Sequence, residues 1–269
     1  MKYRATSRSA PASAAASLVL GGALCCVLLV AAPAAAPASA EPPKQERLDI
    51  VDRSIRHHGF DRLEELEVAL TVSSRSGSFD VVVRAGDLFD YVVTSDLGGR
   101  TRVHRHTNDL VAVTIDGEPQ PVETAEDRRR AVDFVSQRVY FLFLPYRLND
   151  PSAYKQDLGI ERWGERDLHK VKVTFEPGTS TSDDSEFLYW FDPETAELVQ
   201  FAYTFDETGI RFRTASNLRR TGGLLLYDQL NDGGSEPDAD IDDLTFESVQ
   251  ELRRISEVLL ENVEVRPRG

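Results

Sequence analysis

Two of the five histidines, His104 and His106, are separated by one residue in a segment whose alternation is typical of a β-strand. Side chains two apart on a strand point to the same face, and two imidazoles held in this way can bind a metal ion. No third ligand lies nearby in the sequence, so an exposed strand face is the favoured interpretation. We predict no metal site and no cofactor.

The other three histidines are also predicted to be structural. His57 and His58 follow the last apolar position of a predicted helix, where a cation suits the negative end of the helix dipole. His169 stands where a strand begins. The acidic stretch 238–243 imitates the start of a calcium loop, but Asp243 occupies the position at which such a loop turns on glycine. A solvated acidic loop is therefore the favoured interpretation.

Motifs for nucleophilic catalysis do not emerge from this sequence. It contains no Gly-x-Ser-x-Gly elbow, and Thr221-Gly222-Gly223 lacks the strand–loop–helix setting of a phosphate loop. The pair Glu64-Glu65 lies on a predicted helix surface. An acid–base pair for glycoside hydrolysis stays open, because such carboxylates meet in space rather than in sequence. We predict no catalytic residue and a protein that is not an enzyme.

Aromatic residues are concentrated in the second half of the chain. On a strand, Phe187, Tyr189 and Phe191 share one face, and Phe201, Tyr203 and Phe205 share another. Two interpretations remain open: a packed β core, which is favoured, and the wall of an open apolar cleft. The candidate ligand-binding residues are Phe134, Phe141, Phe143, Tyr146, Tyr189, Trp190, Phe201 and Tyr203.

The N-terminus has the three parts of a secretory signal. Basic residues at positions 2, 4 and 8 precede an apolar stretch, 18–32, which is shorter than the roughly 20 residues that cross a bilayer. Ala38-Ser39-Ala40 supplies the small residues for cleavage after Ala40. A membrane anchor is the alternative. We therefore predict a signal peptide at 1–40, a polar leader at 41–47, and an exported protein of the periplasm with no membrane-spanning segment after cleavage.

The net charge of the chain restricts the binding partners that it is expected to have. The chain carries 31 basic and 45 acidic residues, for a net charge of −14, and removal of the predicted signal would lower it to −17. A strongly acidic protein repels nucleic acid at a distance, so we predict no nucleic-acid partner. Cys25 and Cys26 would leave with the signal, and with them any cysteine ligand or disulfide.

Periodicity predicts one domain, 48–269, with two groups of strands. A helix at the start leads into five or six strands ending near the Asp116-Gly117 turn, and a helix capped by Thr124 follows and runs to Pro145. Strands then resume, and the segment Leu252–Leu260 fits either a helix or a strand. We expect about ten antiparallel strands, mainly β (α+β), in a sheet that curls around the inserted apolar helix.

Two stretches carry a family resemblance that covers nearly all of residues 48–266. One runs from Leu144-Pro145-Tyr146 through Lys170–Phe175, and the other is the hairpin Tyr189–Thr195 followed by Leu198–Phe201. The order of elements resembles the LolA/LolB-like lipoprotein-carrier superfamily, and the motifs resemble an exported bacterial family of unknown function. The resemblance implies a curved antiparallel half-barrel with an N-terminal helix and the inserted apolar helix against its concave face.

This resemblance implies a non-catalytic envelope protein that binds a lipid or other apolar ligand in the half-barrel cavity. Two alternatives remain open. One is a protein-interaction or scaffold module of the envelope with an occluded core. The other, less favoured, is a hydrolase of envelope lipid or glycan. The expected partners are thus a lipid or acyl chain and, for the first alternative, an envelope protein.

Overall fold

A computed structural model describes residues 48–175, 186–204, 209–236 and 239–269. The predicted signal peptide, the leader, Phe205 and residue 238 of the acidic stretch lie outside these ranges. Among the described residues, no helix combines the length and apolar composition that crossing a membrane would require.

The described ranges form thirteen strands in one open antiparallel sheet. The first six are β1 (Leu66–Ser74), β2 (Gly77–Arg84), β3 (Asp90–Asp96), β4 (Thr101–Thr107), β5 (Val111–Ile115) and β6 (Glu118–Gln120). The other seven are β7 (Ala153–Trp163), β8 (Arg166–Phe175), β9 (Phe187–Phe191), β10 (Leu198–Thr204), β11 (Ile210–Thr221), β12 (Leu224–Gly233) and β13 (Arg253–Pro267).

Mainly β structure is confirmed, but the expected number of about ten strands is too low. Strand β6, which has only three residues, and strand β7 were not among the expected strands. Strand β7 forms one edge of the sheet, and only two of its eleven residues, Ala153 and Trp163, are buried, so its apolar alternation is weak. A register shift between Asp157 and Gly159 disturbs the pattern further.

Strand β13 joins the two groups of strands. The order across the sheet is β6-β5-β4-β3-β2-β1-β13-β12-β11-β10-β9-β8-β7, so the last strand lies between the first strand and β12. Val68 pairs with Val265, and Gln229 pairs with Val258. The open question at Leu252–Leu260 is therefore answered in favour of a strand, preceded by the short helix α3 (Phe246–Gln250).

The helices begin where the sequence predicted. Helix α1 spans Asp49–His57 and is followed by Gly59 at φ +74°, as expected of a glycine after a helix end. Helix α2 spans Ala125–Val139, and Thr124 closes a capping box with Asp127. The chain continues as a 3₁₀ turn, Tyr140–Phe143, instead of as an α-helix to Pro145.

One short turn shows that the sheet is curved. In the turn Tyr146–Asn149, Arg147 donates to the Tyr91 hydroxyl on β3 (3.5 Å), and the Leu148 carbonyl accepts from Lys155 on β7 (2.8 Å). Strands β3 and β7 are nine places apart in the sheet order, which is about 43 Å in a flat sheet. Since four residues cannot span that distance, the sheet bends around this turn.

Two hydrophobic clusters lie on opposite faces of the sheet. The larger one joins α1, α2 and the 3₁₀ turns to the inward residues of both strand groups, such as Val68, Val93, Tyr189 and Phe201. The smaller one covers the other face of β7 to β11 beneath residues 239–252, and it includes Trp190. Strands β7 to β10 therefore bury apolar side chains on both faces of the sheet.

Candidate ligand cavity

A cavity of about 500 Å³ lies between the end of α2 and strands of both groups. We call it the inner cavity. Its size falls within the range of small-ligand sites. The residues that line it are Val72, Ser74, Ser76, Phe79, Gln137, Arg138, Phe141, Leu142, Phe187, Tyr203, Thr204, Arg211, Arg213, Gln229, Asn231 and Val258.

Stacked aromatic rings form one wall of the inner cavity. Phe187 and Tyr203 are cross-strand partners on β9 and β10, with ring centroids 5.7 Å apart. Phe141, from the 3₁₀ turn, stacks on Tyr203 at 5.0 Å and on Phe201 at 5.6 Å. Alternation along the two strands brings their rings to the inner face, and the turn adds the last ring. This wall offers apolar surface to a bound molecule.

Behind this wall, the half-buried Tyr140 and the buried Tyr189 share a hydrogen bond. The hydroxyls of Tyr140 and Tyr189 are 3.0 Å apart. Burial raises the pKa of Tyr140 to about 12 and the pKa of Tyr189 well above its usual value. Both phenols are therefore neutral at physiological pH, and the pair ties the 3₁₀ turn to the sheet.

Arginines supply the polar side of the inner cavity. Arg213 donates to the Gln229 side chain (2.7 Å) and to the Tyr203 hydroxyl (2.9 Å), and its guanidinium lies 4.6 Å from the centre of the Phe141 ring. Gln229 in turn donates to the Phe141 carbonyl (2.8 Å). Arg213 thus holds the aromatic wall and the 3₁₀ turn in place while remaining part of the lining.

Phe134 lies at the centre of a second stack, beside the inner cavity. The imidazole of His104 stacks on one side of it at 3.9 Å, and the guanidinium of Arg138 lies 3.5 Å from its ring centre. Burial, reinforced by Arg102 and Arg138, lowers the pKa of His104 to about 4. His104 is therefore a neutral packing residue, and its ring faces α2 rather than solvent.

The predicted ligand-binding residues do not form one surface. Phe141 and Tyr203 line the inner cavity, and Tyr189 and Phe201 stand behind them. Phe143 is 1% exposed and packs edge-to-face on Phe60 in the core.

Trp190 and Tyr146 lie away from the inner cavity. Trp190 is on the opposite face of β9, in the smaller cluster, and its indole N–H donates to Glu161 (2.7 Å). Tyr146 lines a separate polar cleft of about 580 Å³ and donates to Glu64 (3.0 Å). Three carboxylates that line this cleft bond to neighbours: Glu64 to Tyr146, Asp52 to Asn149, and Asp150 to Arg147.

His58 is buried and differs from the sequence interpretation. Its Nδ1 lies 3.1 Å from the Leu225 carbonyl, and its Nε2 accepts the Leu198 backbone N–H at 3.2 Å. Burial lowers its pKa to about 4. His58 is therefore a neutral bridge from the end of α1 to β10 and β12 of the second strand group, and the predicted cation at the helix end is wrong for this residue.

His106 and His169 have separate partners. His106 packs edge-on against Phe89 (4.9 Å), and burial lowers its pKa. His169 lies 2.7 Å from the Asp157 carboxylate. In the part of the chain that the structure describes, the one group of three carboxylates or histidines close enough to share a metal ion is Glu186, Asp240 and Asp242. The ammonium of Lys172 already bonds to Glu186 (3.0 Å) and Asp242 (2.6 Å) there.

The sequence also contains one Ser-x-x-Lys spacing that the search for catalytic motifs did not identify. Ser152 and Lys155 are three residues apart, as in Ser–Lys hydrolases. The Ser152 hydroxyl donates to Asp150 (2.9 Å), and the Lys155 ammonium donates to the Leu148 carbonyl (2.8 Å). These bonds stabilise the entry into β7, so the spacing has a structural explanation.

A family model for DUF6503, a family of unknown function, matches residues 22–241. The chain belongs to this family. No curated protein sequence matches it.

Solved structures similar to this DUF6503 chain include three bacterial proteins. A LolA superfamily protein from Nitrosomonas europaea is 11% identical, with a TM-score of 0.48 over 82% of this chain and 92% of that one. A DUF1329 family protein from Desulfovibrio piger is 12% identical, with a TM-score of 0.47 over 81% and 91%. A putative outer membrane lipoprotein-sorting protein domain from Vibrio parahaemolyticus is 9% identical, with a TM-score of 0.45 over 81% and 92%. The resemblance of the sequence motifs to a family of unknown function is confirmed by the match to the DUF6503 model.

The arginines of the inner cavity were not found from the DUF6503 sequence. A signal was present, because Ile210-Arg211-Phe212-Arg213 alternates apolar and basic residues. Phe212 packs into the smaller cluster, so Arg211 and Arg213 face the inner cavity. The alternation predicted two faces for β11 but not which face is the inner one.

Proposed function

We propose that this protein is a non-catalytic binding protein of the cell envelope, exported to the periplasm, that holds a lipid or other apolar ligand in its half-barrel. The observation that carries the proposal is the inner cavity with its aromatic wall. Phe141, Phe187 and Tyr203 supply a continuous apolar surface, and α2 with its following turn covers it on the concave side. The export signal predicted from the N-terminus supports the location.

The energy of such binding comes from apolar surface removed from water. Each methylene moved from water into the cavity contributes about 0.8 kcal/mol, which is about a fourfold change in affinity. For a series of eight-, ten- and twelve-carbon ligands with one head group, affinity is therefore expected to rise steeply with chain length. A flat series would show that the tail stays in water.

Native mass spectrometry of the protein purified from a periplasmic host tests the proposal directly. We expect a lipid adduct that organic extraction removes, or uptake of an added ten-carbon ligand by the extracted protein. A clean apo mass with no uptake of any added lipid would overturn the proposal.

A cavity-filling variant tests the location of the ligand. Val258 is half-buried on β13 and lines the inner cavity, so Val258→Trp is expected to lower ligand affinity at least about tenfold by occupying the space. Leu259→Trp is the matched control, because Leu259 is the next residue on the strand, 38% exposed, and does not line the cavity. Titration calorimetry compares the two. Equal ligand affinities of the two variants would show that the ligand binds outside the inner cavity.

The second candidate function is a protein-interaction module, and the edge strand β7 favours it. Leu158 and Ile160 on this strand are 39% and 56% exposed, and an edge strand can pair with a strand of another protein. A photocrosslinker at position 160 is expected to capture a partner in cells, and Leu158→Lys to reduce that capture. Without any crosslinked product, this candidate fails.

A further inference from the structure

The charge of the inner cavity is opposite to that of the whole chain. The chain carries a net charge of −14. Among the described residues that line the inner cavity there are three arginines, Arg138, Arg211 and Arg213, and no aspartate or glutamate. Because an acidic chain has many carboxylates to place beside its arginines, a cavity whose described charged residues are all cations is a distinct chemical environment.

Arg213 is bonded to neutral groups. Its guanidinium contacts the Gln229 amide, the Tyr203 hydroxyl and the Phe141 ring. Its Nε is buried and has no hydrogen-bond partner within the described residues. A guanidinium has five N–H donors arranged for planar, two-point recognition of carboxylate or phosphate oxygens. Arg213 therefore keeps donor capacity that a bound anion would use.

Arg138 is also surrounded by neutral groups and another cation. It donates to the Phe134 carbonyl (2.9 Å) and lies over the rings of Phe134 (3.5 Å) and Phe79 (5.5 Å). Burial and the charge of Arg102 lower its pKa, as expected of a cation without a close carboxylate. In the described part of the chain, neither Arg138 nor Arg213 forms a salt bridge, in contrast to Arg84 and Arg105, which both contact Asp90.

We propose that the ligand of the inner cavity is an anionic amphiphile, whose carboxylate or phosphate head group is bound by Arg213 and Arg138 while its tail lies along the aromatic wall. This inference rests on the proposed function and adds the chemical class of the head group. The aromatic wall accounts for the binding of an apolar tail, but it does not discriminate among head groups. Arg213 and Arg138 discriminate among head groups, since a cationic head would face like charges and an uncharged head would leave these two guanidinium groups without a counter-charge.

Four ligands with the same ten-carbon tail test lipid binding and the preference for an anionic head group separately. Decanoate and decyl phosphate carry anionic heads, decan-1-ol is uncharged, and decyltrimethylammonium is cationic. By titration calorimetry at pH 7.5 with the full exported chain, we expect both anions to bind about tenfold more tightly than the alcohol or better, and the cation most weakly. The tighter of the two anions then identifies a fatty acid or a phosphate-headed lipid as the source.

Substitutions at one arginine test the contact. Arg213→Gln is expected to remove the preference for decanoate over decan-1-ol, so that the variant binds the two ligands within about twofold of each other. Arg213→Lys keeps the charge without the planar fork and is expected to retain part of the preference. Arg129→Gln is the matched control, because Arg129 is exposed on α2, the helix that carries Arg138, and does not line the cavity. It is expected to behave as the unmodified chain.

Failure of this inference is distinguishable from failure of the proposed function. If none of the four ligands binds, the lipid-binding proposal fails. If all four bind within about twofold of one another, or if Arg213→Gln keeps the anion preference, lipid binding stands and the head-group inference is wrong. Inorganic phosphate alone is expected not to bind measurably. Binding of phosphate as tight as that of decyl phosphate would show a simple anion site and overturn the claim of an amphiphile.

Discussion

Acidification from pH 7 to pH 4 is expected to destabilise the fold by about 3 kcal/mol through His58 alone. In the folded protein Nδ1–H of His58 is placed to donate to the Leu225 carbonyl, and Nε2 accepts the Leu198 N–H. A second proton would abolish that acceptor and place a charge in the core, which is why the pKa falls from 6.5 to about 4.

The direction of this effect follows from proton binding in the two states. Between pH 6.5 and about 4, the unfolded chain binds a proton at position 58 and the folded chain does not. The free energy of unfolding therefore falls as pH falls through this window, by about 1.4 kcal/mol per pH unit at its steepest. Below pH 4 both states are protonated, and His58 contributes no further loss. His104, whose pKa is also lowered to about 4, acts in the same direction.

Urea denaturation at several pH values measures the effect. His58→Gln removes the titrating group and is expected to flatten the slope between pH 4.5 and 6 by about one proton relative to the unmodified chain. His57→Gln, at the same helix end, is the matched control. Because His58→Gln also loses a buried hydrogen bond, a histidine NMR titration of the unmodified protein gives an independent check. A His58 imidazole that titrates near pH 6.5 in the folded protein would contradict the prediction.

Phe143→Ala is expected to cost about 3–5 kcal/mol of stability, because it removes a fully buried ring. Phe143 is 1% exposed and packs on Phe60 with ring centres 6.0 Å apart. It does not line the inner cavity. Where the variant is still folded, its affinity for decanoate is expected to be unchanged.

Phe141→Ala is expected to have the opposite effects, a smaller loss of stability and a large loss of ligand affinity. Phe141 is half-buried, faces the inner cavity and stacks on Tyr203 at 5.0 Å. Its removal is expected to cost about 1–2 kcal/mol of stability and to lower affinity for decanoate about tenfold, since the tail loses one wall of its site. Urea denaturation and calorimetry on both variants form the test. If Phe143→Leu, a milder change, weakened binding as much as Phe141→Ala, the assignment of these two positions would be wrong.

These two neighbours show what the sequence could predict about the site. Both belong to an apolar stretch, and both were candidates for ligand binding on residue type alone. A 3₁₀ turn directs residues two apart to different surroundings, so Phe143 entered the core and Phe141 the cavity wall. Trp190 illustrates the same limit on a strand, because alternation separates it from Tyr189 but does not tell which face is inner.

Local patterns determined many of the helices, turns and strands of this protein. Thr124 as a helix cap, Gly59 after α1, the hairpin turn at Asp116-Gly117 and the alternating strands are decided within a few residues, because backbone preference and side-chain period act over that range. The same applies to the mainly β class and to the excess of acidic residues.

Only the tertiary structure decided how these elements meet. The pairing of β13 with β1 joins residues almost 200 positions apart, and no local period encodes such a partner. Curvature then brings the turn Tyr146–Asn149 to both β3 and β7 and closes α2 over the inner face. The folded chain also places Arg213 beside Phe141, in a lining whose described residues include no carboxylate. The chemistry of the site arises from this long-range arrangement because a cavity exists only between surfaces that the folded chain brings together.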